Sequence, residues 1–445
     1  MPQIGMAFRL AQLRAAKRDA WRLAVWSCVC VGLLLIVGCR DTVLLSPIVI
    51  TPPVDTSLGA VVDTGPPLDT VRLSLPTTTE ITSGASASCV LRVDGSVACW
   101  GYWDNIRPTL PMQIPRTLDA RGNVVAFARI DLGARLCALS TSGEAYCQPY
   151  PPGSSGATSA STSGVLVRVV TRHRFRTLNS GYGTSCALTP SGQGFCWGDG
   201  ASGSFGDGKF GEGHITSSPI ALSTDLRFSA LAAGGGNIQC AILTIGSPYC
   251  WGSNHGSFGD IPFLAGDCTT SFWLAFAGKP CAVPTPVRGA PPLHAASSGY
   301  SAVCGVGDDG RAYCWGVGRA GELGNGVSSV SILPVAVTGG FSFAELSTGS
   351  FHVCALTVDR HAYCWGNNFR GYLGIGDRSV GGSAVPVAVT GGMTFATLAT
   401  GAFHACGIAM SNDIWCWGLG AQGQLGRDPN LGDAYAPVRV AIAVP

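Results

Sequence analysis

The chain has 445 residues, including 62 glycines, 27 prolines and 19 cysteines, and only 12% of its residues are charged. This composition is typical of a turn-rich β protein and excludes a disordered chain or a coiled coil. Beyond residue 38 the chain holds 23 basic and 25 acidic residues without a basic cluster, which argues against nucleic acid as a partner.

The N-terminus has the pattern of an export signal. Positive charges lie in residues 9–22, an apolar run covers residues 23–38, and Ile36 to Cys39 resembles a bacterial lipobox. We therefore predict a signal peptide over residues 1–38 and lipid attachment at Cys39. The protein is expected to be exported and anchored in the bilayer of a bacterial cell envelope through its acylated Cys39.

An uncleaved signal anchor is the alternative, although 16 apolar residues are fewer than the roughly 20 that span a bilayer. Residues 39–79 are rich in Pro, Thr, Ser and Asp and predict an extended tether. Residues 80–445 are expected to form the folded domain.

Fourteen cysteines beyond the tether form seven pairs whose members are ten residues apart, and successive pairs begin 48 to 64 residues apart. A period near 50 indicates the blades of a β-propeller. The pairs are Cys89 with Cys99, Cys137 with Cys147, Cys186 with Cys196, Cys240 with Cys250, Cys304 with Cys314, Cys354 with Cys364 and Cys406 with Cys416.

Each pair brackets two short β-like runs and a central turn, as at Asp94-Gly95 and Asp309-Gly310. Such a hairpin places the two cysteines opposite each other, within reach of a disulfide. Metal ligation is the alternative, but zinc sites favour closely spaced cysteines and histidine partners. We predict one disulfide per repeat, an eighth between Cys268 and Cys281, and no metal site.

Two further positions recur around the cysteines. Trp-Gly follows six of the seven second cysteines, and we expect these tryptophans to fill the gaps between blades, with sugar stacking as the alternative. Six glycines precede a first cysteine by five residues and are expected to let the backbone turn. The two sets are Trp100, Trp197, Trp251, Trp315, Trp365 and Trp417, and Gly84, Gly181, Gly235, Gly299, Gly349 and Gly401.

The later repeats continue after Trp315, Trp365 and Trp417 with a glycine-rich stretch that contains Gly-x-Leu-Gly, and each then reaches a proline-valine run. Together with the cysteine hairpin, this resembles the regulator-of-chromosome-condensation repeat. The resemblance covers residues 80–445 and is weakest in the first two repeats. It implies an all-β fold, a seven-bladed β-propeller.

Ring closure is a separate hypothesis. Pro334 and Pro386 each stand 20 residues before the next first cysteine, whereas the first repeat has no proline-valine run at that offset and the last repeat ends with one at Pro437. The terminal strand is therefore expected to complete the blade of Cys89 and Cys99.

The resemblance implies recognition of a protein on one propeller face, and no cofactor. Members of the family include nucleotide-exchange regulators, a plant light receptor and secreted propeller inhibitors of β-lactamase. The sequence lacks G-x-S-x-G, HExxH and P-loop motifs, which argues against an enzyme. The prediction is a tethered protein-binding or scaffold module; an inhibitor of an envelope or secreted enzyme is the alternative, and a guanine-nucleotide-exchange-like regulator or a propeller hydrolase is more distant.

Two local features remain. His352 and His404 occupy equivalent positions and are expected to be structural rather than metal ligands. Residues 258–292 are a long insert with an apolar cluster. The predicted disulfide within this insert would order it for partner binding. Packing of these aromatics against a blade edge is the alternative, and the proposed partner-binding residues are Phe263, Phe272, Trp273 and Phe276.

Cys39→Ser tests the predicted lipid attachment and membrane anchoring. The substitution removes the thiol that would carry the lipid, so the protein should move from the membrane fraction to uncleaved precursor or soluble material. Fractionation and the mass of the intact protein are the measurements. Unchanged partition and unchanged mass would identify the apolar run as a membrane anchor.

Overall fold

The computed structural model describes residues 78–103, 108–149, 164–234, 238–253, 281–300 and 302–441. These residues form seven antiparallel sheets of four strands each, together with one short 3-10 helix, Pro429–Leu431. The all-β, seven-bladed propeller predicted from the sequence is confirmed. No helix in the described ranges is long and apolar enough to cross a membrane.

The strands follow one another blade by blade. The first four blades contain β1 (Thr78–Ser83), β2 (Ala87–Arg92), β3 (Val97–Gly101) and β4 (Met112–Gln113); β5 (Phe127–Leu132), β6 (Leu136–Ser140), β7 (Ala145–Cys147) and β8 (Val167–Arg168); β9 (Thr177–Ser180), β10 (Thr184–Leu188), β11 (Gly194–Asp199) and β12 (Ile215–Ala221); and β13 (Phe228–Ala233), β14 (Ile238–Leu243), β15 (Pro248–Gly252) and β16 (Cys281–Pro286). The last three contain β17 (Leu293–Ser298), β18 (Ala302–Gly307), β19 (Ala312–Gly318) and β20 (Ser329–Ala336); β21 (Phe343–Thr348), β22 (His352–Thr357), β23 (Ala362–Asn367) and β24 (Gly382–Ala388); and β25 (Phe395–Thr400), β26 (His404–Ala409), β27 (Ile414–Gly418) and β28 (Ala434–Arg439).

Strand order within every sheet follows the sequence, so each blade is a contiguous meander. The first strands of neighbouring blades contact one another all the way round, from β1 through β25 and back to β1. The first strand of each blade therefore lies at the axis, and the fourth strand lies at the rim.

The cysteine pairs bridge the second and third strands of every blade, as direct partners in the strand register with Cα–Cα distances of 4.0–4.1 Å. The seven predicted intra-blade disulfides are confirmed. Each closes a loop of about ten residues, which contributes roughly 2–3 kcal/mol of stability. In chain order the bonds join Cys89 to Cys99, Cys137 to Cys147, Cys186 to Cys196, Cys240 to Cys250, Cys304 to Cys314, Cys354 to Cys364 and Cys406 to Cys416.

The third-strand cysteines occupy one recurring position next to the blade seam. Cys196, Cys250 and Cys364 are completely buried, and each directly precedes a buried tryptophan. Because side chains alternate along a strand, the cysteine and its tryptophan lie on opposite sides of the sheet. The sulfur therefore faces one neighbouring blade and the indole faces the other.

Only one cysteine of the predicted eighth disulfide lies among the described residues. Cys281 opens β16 and is disulfide-bonded. Its predicted partner, Cys268, lies outside the described residues. The Cys268–Cys281 bridge stays a prediction.

The hairpin turns between the second and third strands have the backbone that the sequence predicts. Gly95 and Gly310 have φ of 77° and 76°, the left-handed region that glycine adopts without strain. In the last two blades the equivalent residues are Arg360 and Asn412, with φ of 70° and 67°. Asparagine tolerates this region better than arginine because its short side chain can hydrogen-bond locally.

The six repeated tryptophans are buried between blades, at most 1% exposed, which confirms their core role and excludes sugar stacking at these positions. Four indole N–H groups donate to a carbonyl in the glycine-rich loop of the preceding blade, which joins neighbouring blades through a buried hydrogen bond. The four bonds run from Trp100 to Gln424 (3.0 Å), Trp251 to Ser204 (3.0 Å), Trp365 to Glu322 (2.9 Å) and Trp417 to Tyr372 (3.0 Å).

The other two tryptophans, Trp197 and Trp315, have no acceptor for Nε1 in the described part of the chain. The preceding loops run through residues 150–163 and 254–280, which are outside it. The second blade has Gln148 where a tryptophan recurs elsewhere, and Gln148 Oε1 accepts from the N–H of Leu136 at 2.8 Å. A polar bond thus replaces the indole in the weakest repeat.

Ring closure differs from the sequence hypothesis. The terminal strand β28 pairs with β27, where Val438 faces Cys416, and the first blade has its own fourth strand, β4. The expectation that β28 completes the first blade is therefore wrong. Proline-valine runs lie about midway between successive cysteine pairs, so spacing alone assigns them equally well to either blade.

The two ends of the ring meet through non-covalent contacts at three levels. Near the rim, Trp100 packs with Leu425 and Val440 of the last blade. Close to the axis, the N–H of Ala402 donates to Gly84 O at 3.1 Å. On the hairpin side, the backbone and hydroxyl of Thr78 donate to Asn412 Oδ1 at 3.1 and 2.8 Å.

A ring of glycines surrounds the axis at the end of the first strands. A Cβ added to any of six of them would lie 1.3–2.5 Å from a backbone carbonyl oxygen of the next blade, closer than atoms can approach. These glycines thus permit backbone contact between blades. Gly84, Gly299, Gly349 and Gly401 belong to the set that the sequence predicts to let the backbone turn, and the N–H of each donates to the carbonyl three residues later in the first-to-second strand turn. Gly133 and Gly234 are not in that set, and Gly235 lies outside the described residues. The six are Gly84, Gly133, Gly234, Gly299, Gly349 and Gly401.

Gly401→Ala should destabilise the propeller by about 2 kcal/mol or more, because its Cβ would lie 2.3 Å from Gly84 O across the closing seam. Gly381→Ala is the matched control, since no atom lies within 4 Å of its Cβ and its φ is not left-handed. Chemical denaturation measures both. Equal stability of the two variants would contradict the close-contact role.

Candidate functional site

The partner-binding residues predicted from the sequence, Phe263, Phe272, Trp273 and Phe276, lie outside the described residues, as does Cys39. The structure does describe the strands on either side of residues 258–280: β15 ends at Gly252 and β16 begins at Cys281. The described part of the predicted insert, residues 281–292, is therefore β16 and the six residues that lead to β17, and residues 258–280 lie outside the described residues.

The strand order divides the propeller into two faces. First-to-second strand turns and third-to-fourth strand connections lie at one end of every meander, and we call this end the loop face. Second-to-third strand hairpins lie at the other end, the hairpin face. Most of the long connections, which vary between blades, belong to the loop face, where functional residues of a rigid scaffold usually concentrate; the link from β4 to β5 is a long connection on the hairpin face.

A cavity of about 580 Å³ follows the axis and opens on the loop face. Its wall comes from the first strands of the blades, and its mouth comes from the turns that follow them. Only two lining residues are charged among those described, Glu80 and Asp131. The site is thus a shared property of all blades rather than of one loop.

Polar side chains tie the first strands together along this wall. Thr82 Oγ1 accepts from the N–H of Leu132 at 3.0 Å, so the side chain of one blade satisfies a backbone donor at the exposed edge of the next. Unpaired edge donors would otherwise be a liability. The same bond recurs from Ser180 N to Asp131 Oδ2, from Thr348 N to Ser297 Oγ and from Thr400 N to Ser347 Oγ.

Asp131 is the most extensively bonded of these groups. Its Oδ1 accepts from Thr82 Oγ1 at 2.9 Å and from the N–H of Leu132 at 3.1 Å, while Oδ2 accepts from Asn179 Nδ2 at 3.0 Å and from the N–H of Ser180. Burial raises the pKa of Asp131 to about 6, and these hydrogen bonds oppose the rise. Asp131 therefore joins three blades.

Glu80 is less fully bonded. Its Oε2 accepts from the N–H of Ile130 at 2.9 Å, and its Oε1 lies 3.6 Å from the largely exposed guanidinium of Arg129. Burial raises the pKa of Glu80 to about 7; the Ile130 bond and Arg129 oppose this rise, and Asp131 adds to it. One carboxylate oxygen of Glu80 thus keeps capacity for a further donor.

His352 and His404 are fully buried below the mouth. Nε2 of His404 lies 2.8 Å from Ser88 Oγ in the next blade. His352 has no equivalent side-chain partner among the described residues, because the residue at the position of Ser88 there is Ala405. Burial lowers the pKa of His352 to about 4 and that of His404 to about 3, so both are neutral at physiological pH. In the described ranges no group of three or more His, Cys, Asp or Glu could hold a metal ion.

Aromatic rings surround part of the mouth. Tyr300, Phe351 and Phe403 follow the ring glycines of the last three blades, with centroid distances of 6.4 Å between the first two and 6.0 Å between the last two. Phe403 also contacts Tyr372, whose ring centroid lies 6.0 Å from its own. Tyr182 of the third blade faces the mouth as well and is 47% exposed.

The sequence contained a signal for this mouth. Phe351-His352 and Phe403-His404 are equivalent dipeptides, and the sequence pattern singles out only their histidines. Aligning the blades on the ring glycine places Tyr182, Tyr300 and both phenylalanines within the turns that face the axis. Without the structure, these aromatics are indistinguishable from core residues.

Glu80→Gln tests the electrostatics of the wall. Because the folded pKa lies above the usual value of 4.5, the ionised carboxylate destabilises the fold, and the wild type loses stability as pH rises from about 4.5 to about 7. The stability of Glu80→Gln relative to wild type should increase over that range by roughly 1–3 kcal/mol and then level off. Denaturant titrations at several pH values measure it, and a pH-independent difference would contradict the assignment.

Comparisons with known proteins agree with this architecture. The family model described as the regulator of chromosome condensation repeat matches residues 309–356, and a second model of the same repeat matches residues 343–371.

Solved structures provide the wider likeness. Human WBSCR16 is 21% identical with a TM-score of 0.62, over 75% of this chain and 87% of that chain. Yeast RCC1 (Prp20) in its complex with Kap60 is 16% identical with a TM-score of 0.61, over 83% of this chain and 85% of that chain. Prp20p from Saccharomyces cerevisiae is 16% identical with a TM-score of 0.60, over 83% of this chain and 88% of that chain. The chain is therefore a seven-bladed β-propeller that carries regulator of chromosome condensation repeats.

Proposed function

We propose that this protein is a non-catalytic binding module that captures a protein partner on its loop face at the bacterial cell envelope. The observation that carries the proposal is the row of aromatic side chains at the mouth of the axial cavity, which we call the channel. Tyr300 is 43% exposed and Phe351 and Phe403 are half-buried, so their rings are available to a partner. Aromatic residues are the common anchors of protein interfaces.

Rigidity supports the same conclusion. Each mouth residue stands on a turn between two strands, and the second of these strands is bonded to the third by a disulfide. A preformed aromatic surface loses little conformational entropy on binding, which favours affinity. Disulfides form in an oxidising compartment, so they fit an exported protein.

Proteins of the same fold offer a parallel. Yeast RCC1 (Prp20) was solved bound to Kap60, and Prp20p was described with its binding to Gsp1p and histones. These partners belong to those proteins, and the export signal proposed here points to other partners. What supports the present proposal is the use of a similar propeller to hold another protein.

The test compares two double variants of the full chain. Tyr300→Ser/Phe351→Ser removes aromatic surface from the loop face, and Val358→Ser/Met410→Ser removes apolar surface that is 64% and 63% exposed from the hairpin face. Both are used to capture proteins from envelope extracts. We expect the first variant to lose at least about tenfold in capture of a specific partner, and the second to match wild type.

Thermal melting is the accompanying control, and Tyr182→Ser serves as a second loop-face variant should Phe351→Ser unfold the sixth blade. Equal capture by loop-face and hairpin-face variants would refute the proposal. If the captured protein is an enzyme whose activity falls on addition of the propeller, the module acts as an inhibitor rather than a scaffold.

A further inference from the structure

The mouth of the channel is unequal around its rim. Tyr300, Phe351 and Phe403 occupy the turns of the last three blades, whereas the turns of the first two blades present Ala85 and Ala134. The small side chains leave the mouth open on one side. An entering group would therefore pass over the alanines with the aromatic rings opposite.

The wall below the alanines is also distinct. Glu80 and Asp131 lie on this side, and the described residues of the opposite wall are neutral groups such as Ser297, Ser347 and Thr400. No lysine, arginine or histidine lines the cavity among the described residues. The channel thus combines an aromatic rim with a negative interior.

The two carboxylates differ in what they can still bind. Four donors from the protein occupy both oxygens of Asp131, so its role is to hold blades together and to add negative potential. Glu80 Oε1 forms one ion pair, with Arg129 at 3.6 Å, and the side chain of Arg129 is 58% exposed, so its attraction is screened by water. Glu80 is the residue with capacity for an incoming cation.

We propose that the channel receives an arginine side chain of the protein partner, which enters over Ala85 and Ala134 and ends at the carboxylate of Glu80. This inference rests on the proposed function and assigns the chemistry of its anchor. A guanidinium fits the carboxylate because its N–H groups donate to it. Glu80 lies four residues before Gly84 on β1, on the order of 13 Å below the mouth, so the aromatic rings flank the path of the entering segment of the partner and do not stack on the bound guanidinium. Asp131 adds attraction without direct contact.

Binding should be linked to protons. Glu80 must be ionised to accept from the guanidinium, and its pKa near 7 leaves it partly protonated at neutral pH. The groups that face Glu80 are Arg129 and Asp131 of the second blade and the N–H of Ile130. Affinity for the cation should therefore rise as pH increases from 6 to 8, with release of a proton on binding.

The test uses Nα-acetyl-arginine amide as the probe and Nα-acetyl-citrulline amide, its neutral isostere, as the control ligand. Saturation-transfer NMR with the full chain at pH 8 measures both affinities. We expect wild type to prefer the arginine probe by about tenfold and Glu80→Gln to lose this preference.

Glu345→Gln is the matched control protein. Glu345 holds the position of Glu80 in the sixth blade, and its Oε1 accepts from Thr397 Oγ1 at 2.8 Å and from the N–H of Leu398 at 3.0 Å, but it does not line the cavity. This variant should keep the preference for arginine. Equal loss in both variants, or equal binding of the two probes by wild type, would overturn the inference.

Two further arms separate the possible explanations. Tighter, Glu80-dependent binding of spermidine with no binding of the arginine probe would overturn the assignment to a protein side chain. In the capture assay, a partner lost by Tyr300→Ser/Phe351→Ser but held equally by Glu80→Gln would leave the proposed function standing and refute the channel anchor. If the loop-face aromatic substitutions leave capture of the partner unchanged, the proposed function itself is refuted.

Discussion

The propeller depends on how closely its innermost strands approach one another around the axis. At the end of six of the seven first strands, the backbone of one blade lies against a carbonyl of the next, and only glycine has room there. The close approach also brings edge N–H groups within reach of Thr82, Asp131, Ser297 and Ser347 of the preceding blades. Sterics and hydrogen bonding thus act at the same seam.

The same constraint shapes the candidate site. Because the glycine ring fixes the radius of the mouth, the side chains that follow each glycine determine what can enter. Bulky rings at Tyr300, Phe351 and Phe403 close part of the rim, and alanines leave the rest open above Glu80. A binding site on the axis is therefore assembled from one short turn per blade.

Further from the axis, blade contacts rely on larger groups. A buried tryptophan fills most seams and donates to a loop that crosses from the preceding blade, as Trp365 does to Glu322. The second blade replaces the indole with Gln148 and its bond to Leu136, and Trp103 packs in the same core with Tyr146. Different aromatic side chains can therefore fill equivalent seams, as Trp103 and Tyr146 do between the first two blades.

The sequence by itself determined what depends on local spacing. Cysteines ten residues apart across a turn, such as Cys186 and Cys196, face each other on a hairpin, so the seven disulfides and the blade count followed directly. The proline-valine strands could not be assigned in this way, since Pro334 lies 20 residues from both Cys314 and Cys354. Only the tertiary structure decided that each pairs within its own blade, because the intervening loop crosses to the neighbour and returns. It alone also placed Glu80 and the mouth aromatics together, since seven distant segments must meet at one axis.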